Sequence, residues 1–373
     1  MKALHITLFL FIAAGLLMAQ EKIERKFEIS SGSKVEIDLN TGGSINISGW
    51  EKELVQVTAE VEYDVNDYRI DFKERSSRLS IDVSYAGRGR HSGDVEITVY
   101  VPRRTDLELE TMGGDITIDN IEGEIDGETM GGELDLSNLK GKIELTTMGG
   151  DIDVRDSDLD GEVKTMGGDI TFRDVSGDVE GSTMGGDVKY IGQGKRASQN
   201  TDREVRISTM GGEIKVDNAP AGANVSTMGG DIKIGSAGKY VKAKTMGGDI
   251  ELKEVDGGFK VSTMGGDVTA KMIGNPDKGD RDIDISSMGG DITLTVPAGL
   301  SMNFDLKLTY TKRSSGSYKI ISDFPVNTEE TDDWDYSDGS PRKYIFGTGE
   351  VAGGKFQVKI ETINGNIIIR KGH

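Results

Sequence analysis

Short alternations of apolar and polar residues run along most of the chain. Before residue 108 they read Val35-Glu36-Ile37-Asp38-Leu39, Val55-Gln56-Val57-Thr58-Ala59, Leu79-Ser80-Ile81-Asp82-Val83 and Val95-Glu96-Ile97-Thr98-Val99. Farther on, apolar–variable–apolar triplets take over: Ile116-Thr117-Ile118, Ile170-Thr171-Phe172, Ile232-Lys233-Ile234 and Ile250-Glu251-Leu252. A period of two is that of a β-strand with one buried face. A second short strand is expected late in most units, as in Lys142-Ile143-Glu144-Leu145 and Phe259-Lys260-Val261, with Gly123, Gly141, Gly177 or Gly257 just before it. Helical spacing is nowhere sustained in this block.

The triplets belong to a repeat. Thr-Met-Gly-Gly begins at Thr111, Thr129, Thr147, Thr165, Thr183, Thr209, Thr227, Thr245 and Thr263, and a tenth copy begins at Ser287. Most intervals are 18 residues, with one of 26 after Thr183 and one of 24 after Thr263. The extra residues fall in polar, glycine-containing stretches, 191–204 and 272–282, which read as loops inserted into a fixed register. One unit is too small to bury its own apolar face, but stacked units bury each other's. The expected fold is therefore all-β, a single-stranded parallel β-helix or β-solenoid with 18-residue coils and modified β caps at both ends. Ten coils at ~4.8 Å give a rod segment of roughly 48 Å. Residues 1–20 form a leader, 21–108 an N-terminal β cap, 109–296 the repeat solenoid, and 297–373 a C-terminal β region with an acidic loop and a last coil. Thr41-Gly42-Gly43-Ser44-Ile45-Asn46-Ile47 and Thr362-Ile363-Asn364-Gly365-Asn366-Ile367 resemble degenerate units.

In a stack, equivalent residues form columns. The structural repeat exemplified by Met112-Gly113-Gly114 and Met148-Gly149-Gly150 places methionine beside a glycine corner, where φ > 0 or a tight approach favours glycine. A methionine column could form a thioether channel for Cu(I). With no histidine or cysteine in the repeats, the expectation is that flexible methionines fill space beside that corner. The next column is acidic, and Asp115, Asp151, Asp169, Asp187, Asp231, Asp249, Asp267 and Asp291 are calcium candidates, with Glu133 and Glu213 completing the set. Like charges ~4.8 Å apart must splay into water, accept backbone N–H groups or recruit a cation. Hydrogen-bonded, solvated carboxylates are the expected solution, with calcium as the alternative and no other cofactor. A threonine column could order water as an ice-binding face. The outward position between the two apolar ones argues against that, because Thr117, Asp135, Asp153, Thr171, Lys189, Lys215, Lys233, Glu251, Thr269 and Thr293 make a charged, irregular column.

The segment 323–343 departs from the pattern, with seven acidic residues around Trp334 and Tyr336. Asp333, Trp334, Asp335 and Tyr336 are ligand-contact candidates. The alternative is a solvated loop with Trp334 packed on the solenoid end. Asp333-x-Asp335-x-Ser337 resembles a calcium loop, but Asp338 stands where glycine is needed and no helix pattern flanks it.

Composition narrows the functional classes. The chain has 373 residues, 64 acidic against 44 basic, and a formal charge of −20, with no basic stripe for nucleic acid. It lacks cysteine, and its histidines are only His5, His91 and His373, which excludes disulfides, thiolate chemistry and most histidine-dependent catalysis. Lys2 followed by an apolar stretch to Ala19 reads as a secretory signal peptide cleaved near 19–21, leaving no transmembrane span. The expected setting is export to the periplasm, cell surface or extracellular space.

Several motifs resemble those of the bacterial putative-adhesin family of secreted β-strand-repeat proteins. They are Phe27-Glu28-Ile29 through Asn46-Ile47-Ser48-Gly49-Trp50, Val99-Tyr100-Val101-Pro102 with Leu107-Glu108-Leu109-Glu110, Val296-Pro297-Ala298-Gly299, Ser322-Asp323-Phe324-Pro325 and Ile363-Asn364-Gly365-Asn366-Ile367. The resemblance spans about residues 25–371. It implies a β-solenoid at the envelope or surface and supplies no catalytic residue. The leading expectation is a non-enzymatic, adhesin-like binder or scaffold that meets an envelope, matrix or glycan ligand through its repetitive face. The alternative is a periplasmic structural or envelope-stress-associated protein that self-associates. A polysaccharide-active β-helix enzyme is a third reading, but it would need acid/base clusters that break the repeat.

Overall fold

The computed structural model describes residues 21–61, 67–75, 77–86, 95–192, 203–314, 316–337 and 339–372. The expected signal peptide, all three histidines, Asp338 and most of the 191–204 insertion lie outside them. Among the described residues there are 31 strands and no helix, hence none long and apolar enough to cross a membrane. All the strands join one continuous hydrogen-bonded, solenoid-like sheet.

Each Thr-Met-Gly-Gly unit feeds two ladders. In one, Ile116–Asp119, Leu134–Ser137 and Ile152–Arg155 lie parallel, with Ile116 beside Leu134 and Leu134 beside Ile152. In the other, Thr105–Thr111, Glu122–Thr129 and Lys140–Thr147 do the same, with Thr111, Thr129 and Thr147 in line. The alternation is honoured, since the Ile116–Asp119 strand reads buried, half-buried, buried, half-buried. Its inward side chains join one core running from Ile29 to Ile369. Fully burying each such aliphatic side chain contributes about 1.5–3 kcal/mol.

The corner between the two strands varies. Asn120, Asn138, Asp156 and Asp174 occupy it with φ of 61°, 54°, 51° and 54°, a left-handed conformation that asparagine and aspartate tolerate. Ser236 and Glu254 stand at the equivalent place farther on. There the chain stays extended, so single strands Ile232–Lys244 and Ile250–Thr263 replace pairs of short ones.

The ends do not stack in chain order. Ser33–Leu39 lies between Arg78–Tyr85 and Thr105–Thr111, while Phe356–Ile363 slots between Ile283–Ser287 and Met302–Thr311. Antiparallel strands close the outside: Tyr68–Arg75 on Arg78–Tyr85, Val55–Val61 on Val95–Pro102, and Glu21–Phe27 on Val55–Val61. At the other end, Arg342–Val351 is antiparallel to Met302–Thr311 and carries Asn327–Glu330 on its free edge. Part of the acidic segment expected as loop is thus an edge strand, because that edge offers unpaired backbone groups.

The insertion after Met272 is pinned by a buried arginine. Arg281, 2 % exposed, donates to the carbonyls of Ile273, Lys278 and Asn275 at 2.7, 2.9 and 2.9 Å and to Asp256 at 2.5 Å.

Candidate functional site

Two surfaces merit attention: the Thr-Met-Gly-Gly-Asp corner, repeated along the stack, and the acidic aromatic segment at the C-terminal end.

At the corner, threonine points inward. Thr147 is fully buried, and its hydroxyl donates to the Gly132 carbonyl at 2.8 Å while accepting from its own unit's Gly150 N–H at 3.3 Å. The same bridge recurs from Thr111 on Gly43 to Thr362 on Gly290. These hydroxyls are spent inside the protein, so no threonine face is available to order water.

The two glycines differ. A Cβ on Gly132 would lie 1.9 Å from the Gly114 carbonyl oxygen, and one on Gly150 would lie 2.0 Å from that of Gly132. The second glycine of each pair is therefore required by close stacking. The first is roomier in the early units, where a Cβ on Gly131 comes no closer than 4.0 Å and one on Gly149 no closer than 3.7 Å to the adjoining unit, but tighter later, where one on Gly211 would lie 3.2 Å from the Gly185 carbonyl oxygen.

The acidic column is a backbone-capping ladder. Asp115 Oδ1 accepts the N–H of Glu133 at 2.9 Å, and Asp151 and Asp169 accept those of Asp169 and Asp187 at 2.8 Å. Asp187, Asp231, Asp249 and Asp267 continue it, and Asp291 receives Asn366 N–H at 2.7 Å. Glu133 and Glu213 break the run, and Glu213 pairs with Lys233 at 3.1 Å instead. Among the described residues, no three acidic or histidine side chains gather as a metal cluster.

Methionine is where expectation fails. Met112, Met130, Met148, Met166, Met184, Met210, Met228, Met246, Met264 and Met288 are 41–55 % exposed. They do not fill space beside the glycine corner. The strand's alternation carries through the buried threonine, so the next residue must face out: Leu109 is buried, Glu110 exposed, Thr111 buried and Met112 exposed. That signal lay in the sequence. Backbone register places the ten methionines in one row along the stack, each about half exposed.

In the C-terminal segment, half-buried Trp334 packs edge-on against Tyr310 at 5.6 Å, with the Lys343 and Lys312 ammoniums 5.6 and 5.8 Å from its ring. Asp335 accepts Ser337 N–H and the Tyr344 hydroxyl, both at 2.9 Å, and the Ser337 contact foremost holds its carboxyl below the ordinary value. Asp333 and Tyr336 remain exposed, Tyr336 by 62 %. Tyr310 donates to Glu330, and this bond, with burial, pushes its pKa up to about 12. Sequence reasoning had no access to this pair, since its partners meet only through sheet pairing. A groove of about 580 Å³ near Asp160 and Asp178 carries Arg203 and Arg206, each already paired with one of those carboxylates.

The family model described as Toastrack DUF4097 matches residues 25–217 and 162–343. No curated protein matches the chain. Similar solved structures include a putative cell adhesion protein from Clostridium sporogenes, 12 % identical, covering 94 % of this chain and 100 % of that one at a TM-score of 0.19. A putative adhesin from Parabacteroides distasonis is 14 % identical, covering 72 % and 98 % at 0.35. A putative lipid binding protein from the same species is 15 % identical, covering 73 % and 96 % at 0.31.

Proposed function

From the premise that the chain belongs to the Toastrack DUF4097 family, we propose that it is an exported, non-enzymatic β-solenoid that binds or scaffolds at the cell envelope through a repetitive face. Its ten Thr-Met-Gly-Gly units are successive coils, with seven of the nine spacings at 18 residues and the other two lengthened by insertions. The observation that carries the proposal is register. Each unit lies beside the equivalent residues of the next, so one exposed pattern is offered again and again. A partner with its own repeat, such as an envelope or matrix glycan, meets many weak contacts at once, and their combined avidity exceeds that of one. The acids support a binding role, for they are spread evenly along the ladder instead of clustering as an acid/base pair. Export is supported by the leader-like residues 1–20.

The test is protease shaving of intact cells that express the chain, with mass spectrometry for peptides from 323–343. Release from undamaged cells is expected. Release only after the envelope is opened would overturn surface binding and favour a periplasmic, self-associating scaffold.

A further inference from the structure

We propose that the methionine row is a binding site for soft monovalent cations, Cu(I) and its redox-stable counterpart Ag(I), with thioethers of neighbouring units as paired ligands. The argument begins with what the fold demands at the corner. Threonine bridges backbone groups of two units, the second glycine permits their approach, and aspartate caps the next amide. Methionine has no such task, since about half of each side chain faces water. The last unit does without it, for Ile363 follows Thr362 where the other units carry methionine.

Yet all ten internal units keep methionine, while the other outward position ranges over threonine, aspartate, lysine and glutamate. A water-facing position held to one residue points to the chemistry of that residue. An apolar contact would be served equally by leucine or isoleucine. Only the thioether is particular to methionine, and it is a soft ligand that selects Cu(I)-like ions.

Spacing and charge agree. Metal–sulfur bonds are about 2.3 Å, so an ion between two sulfurs asks for them to sit ~4.6 Å apart, close to the ~4.8 Å step between paired strands. Methionine's flexible side chain can close the difference. The carboxylate column on the same corner, within a chain of charge −20, draws cations toward the row. Its Oδ1 atoms are taken up by backbone amides, which leaves field without a ready chelating set for hard ions. No cysteine competes for a soft ion.

The purified full chain, titrated with Ag(I) in chloride-free buffer and with Cu(I) under reductant, is counted by native mass spectrometry. Ten thioethers taken in pairs hold five ions. Replacing Met148, Met166, Met184 and Met210 by leucine keeps the apolar surface and leaves six, which hold three. In a chain labelled at the methionine methyls, the row's resonances should shift on Ag(I) addition while those of buried Met272 and Met302 stay in place. That readout stands even where the fourfold variant fails to fold. Unchanged silver uptake by the folded leucine variant, displacement of silver by millimolar Ca²⁺, or unshifted row methyls would each overturn the proposal.

Discussion

From Thr105 to Pro297 every strand runs parallel to its neighbours and meets the same part of the adjoining unit, whereas the outermost layers at the N-terminal end turn antiparallel. A parallel stack of copies satisfies each unit with the next, but it leaves an equally receptive edge at either end. The ends answer with strands that resist extension. Glu21–Phe27 and Tyr68–Arg75 are rich in charge, Asn327–Glu330 is exposed throughout, and Ile320–Ser322 has only three residues. Self-pairing thus governs the middle, and its termination governs the ends.

The sharpest way to break the middle is at the second glycine. Gly132→Ala drives a methyl into the Gly114 carbonyl and should cost about 3 kcal/mol or prevent folding. Gly131→Ala, whose Cβ comes no nearer than 4.0 Å to the adjoining unit, should leave the melting temperature almost unchanged. Next comes the pinned insertion. Arg281→Met strands three loop carbonyls and should cost about 2 kcal/mol in denaturant unfolding, with the exposed Asp256 partner rehydrating freely. Adjacent residues then separate inside from outside. Thr147→Val loses a buried bridging hydroxyl and about 1 kcal/mol, while Met148→Gln should change stability by less than ~0.5 kcal/mol.

The smallest effect belongs to the C-terminal end. The folded state holds the Tyr310 proton more tightly than the unfolded chain, whose tyrosine titrates near 10. The contribution is full below pH 10 and is lost as pH rises toward about 12. Ultraviolet titration should find this tyrosine ionising late, and Glu330→Ala should bring it back toward the ordinary range.

Much of the middle was legible because alternation and a fixed repeat need no knowledge of the rest of the molecule. Ile116-Thr117-Ile118 announces its strand, and Asn120 announces the left-handed corner after it. The order of pairing at the ends was not legible, since nothing in Phe356–Ile363 says that it inserts before Met302–Thr311. Arg281 was hidden for the same reason, its acceptors being created by the loop it pins. Methionine is a different case. Counting alternate positions through Thr111 turns Met112 outward, but its apolar character argued for burial, and register prevailed over character.

The measurement that bears most directly on this division between inward and outward columns is residue-resolved oxidation by dilute hydrogen peroxide, followed by peptide mass spectrometry. The ten row methionines should oxidise together at rates near that of the free amino acid, while Met272 and Met302, 2 % and 0 % exposed, lag far behind. Row methionines protected to the same degree as Met272 and Met302 would contradict the account, because the column would then be packing and not surface.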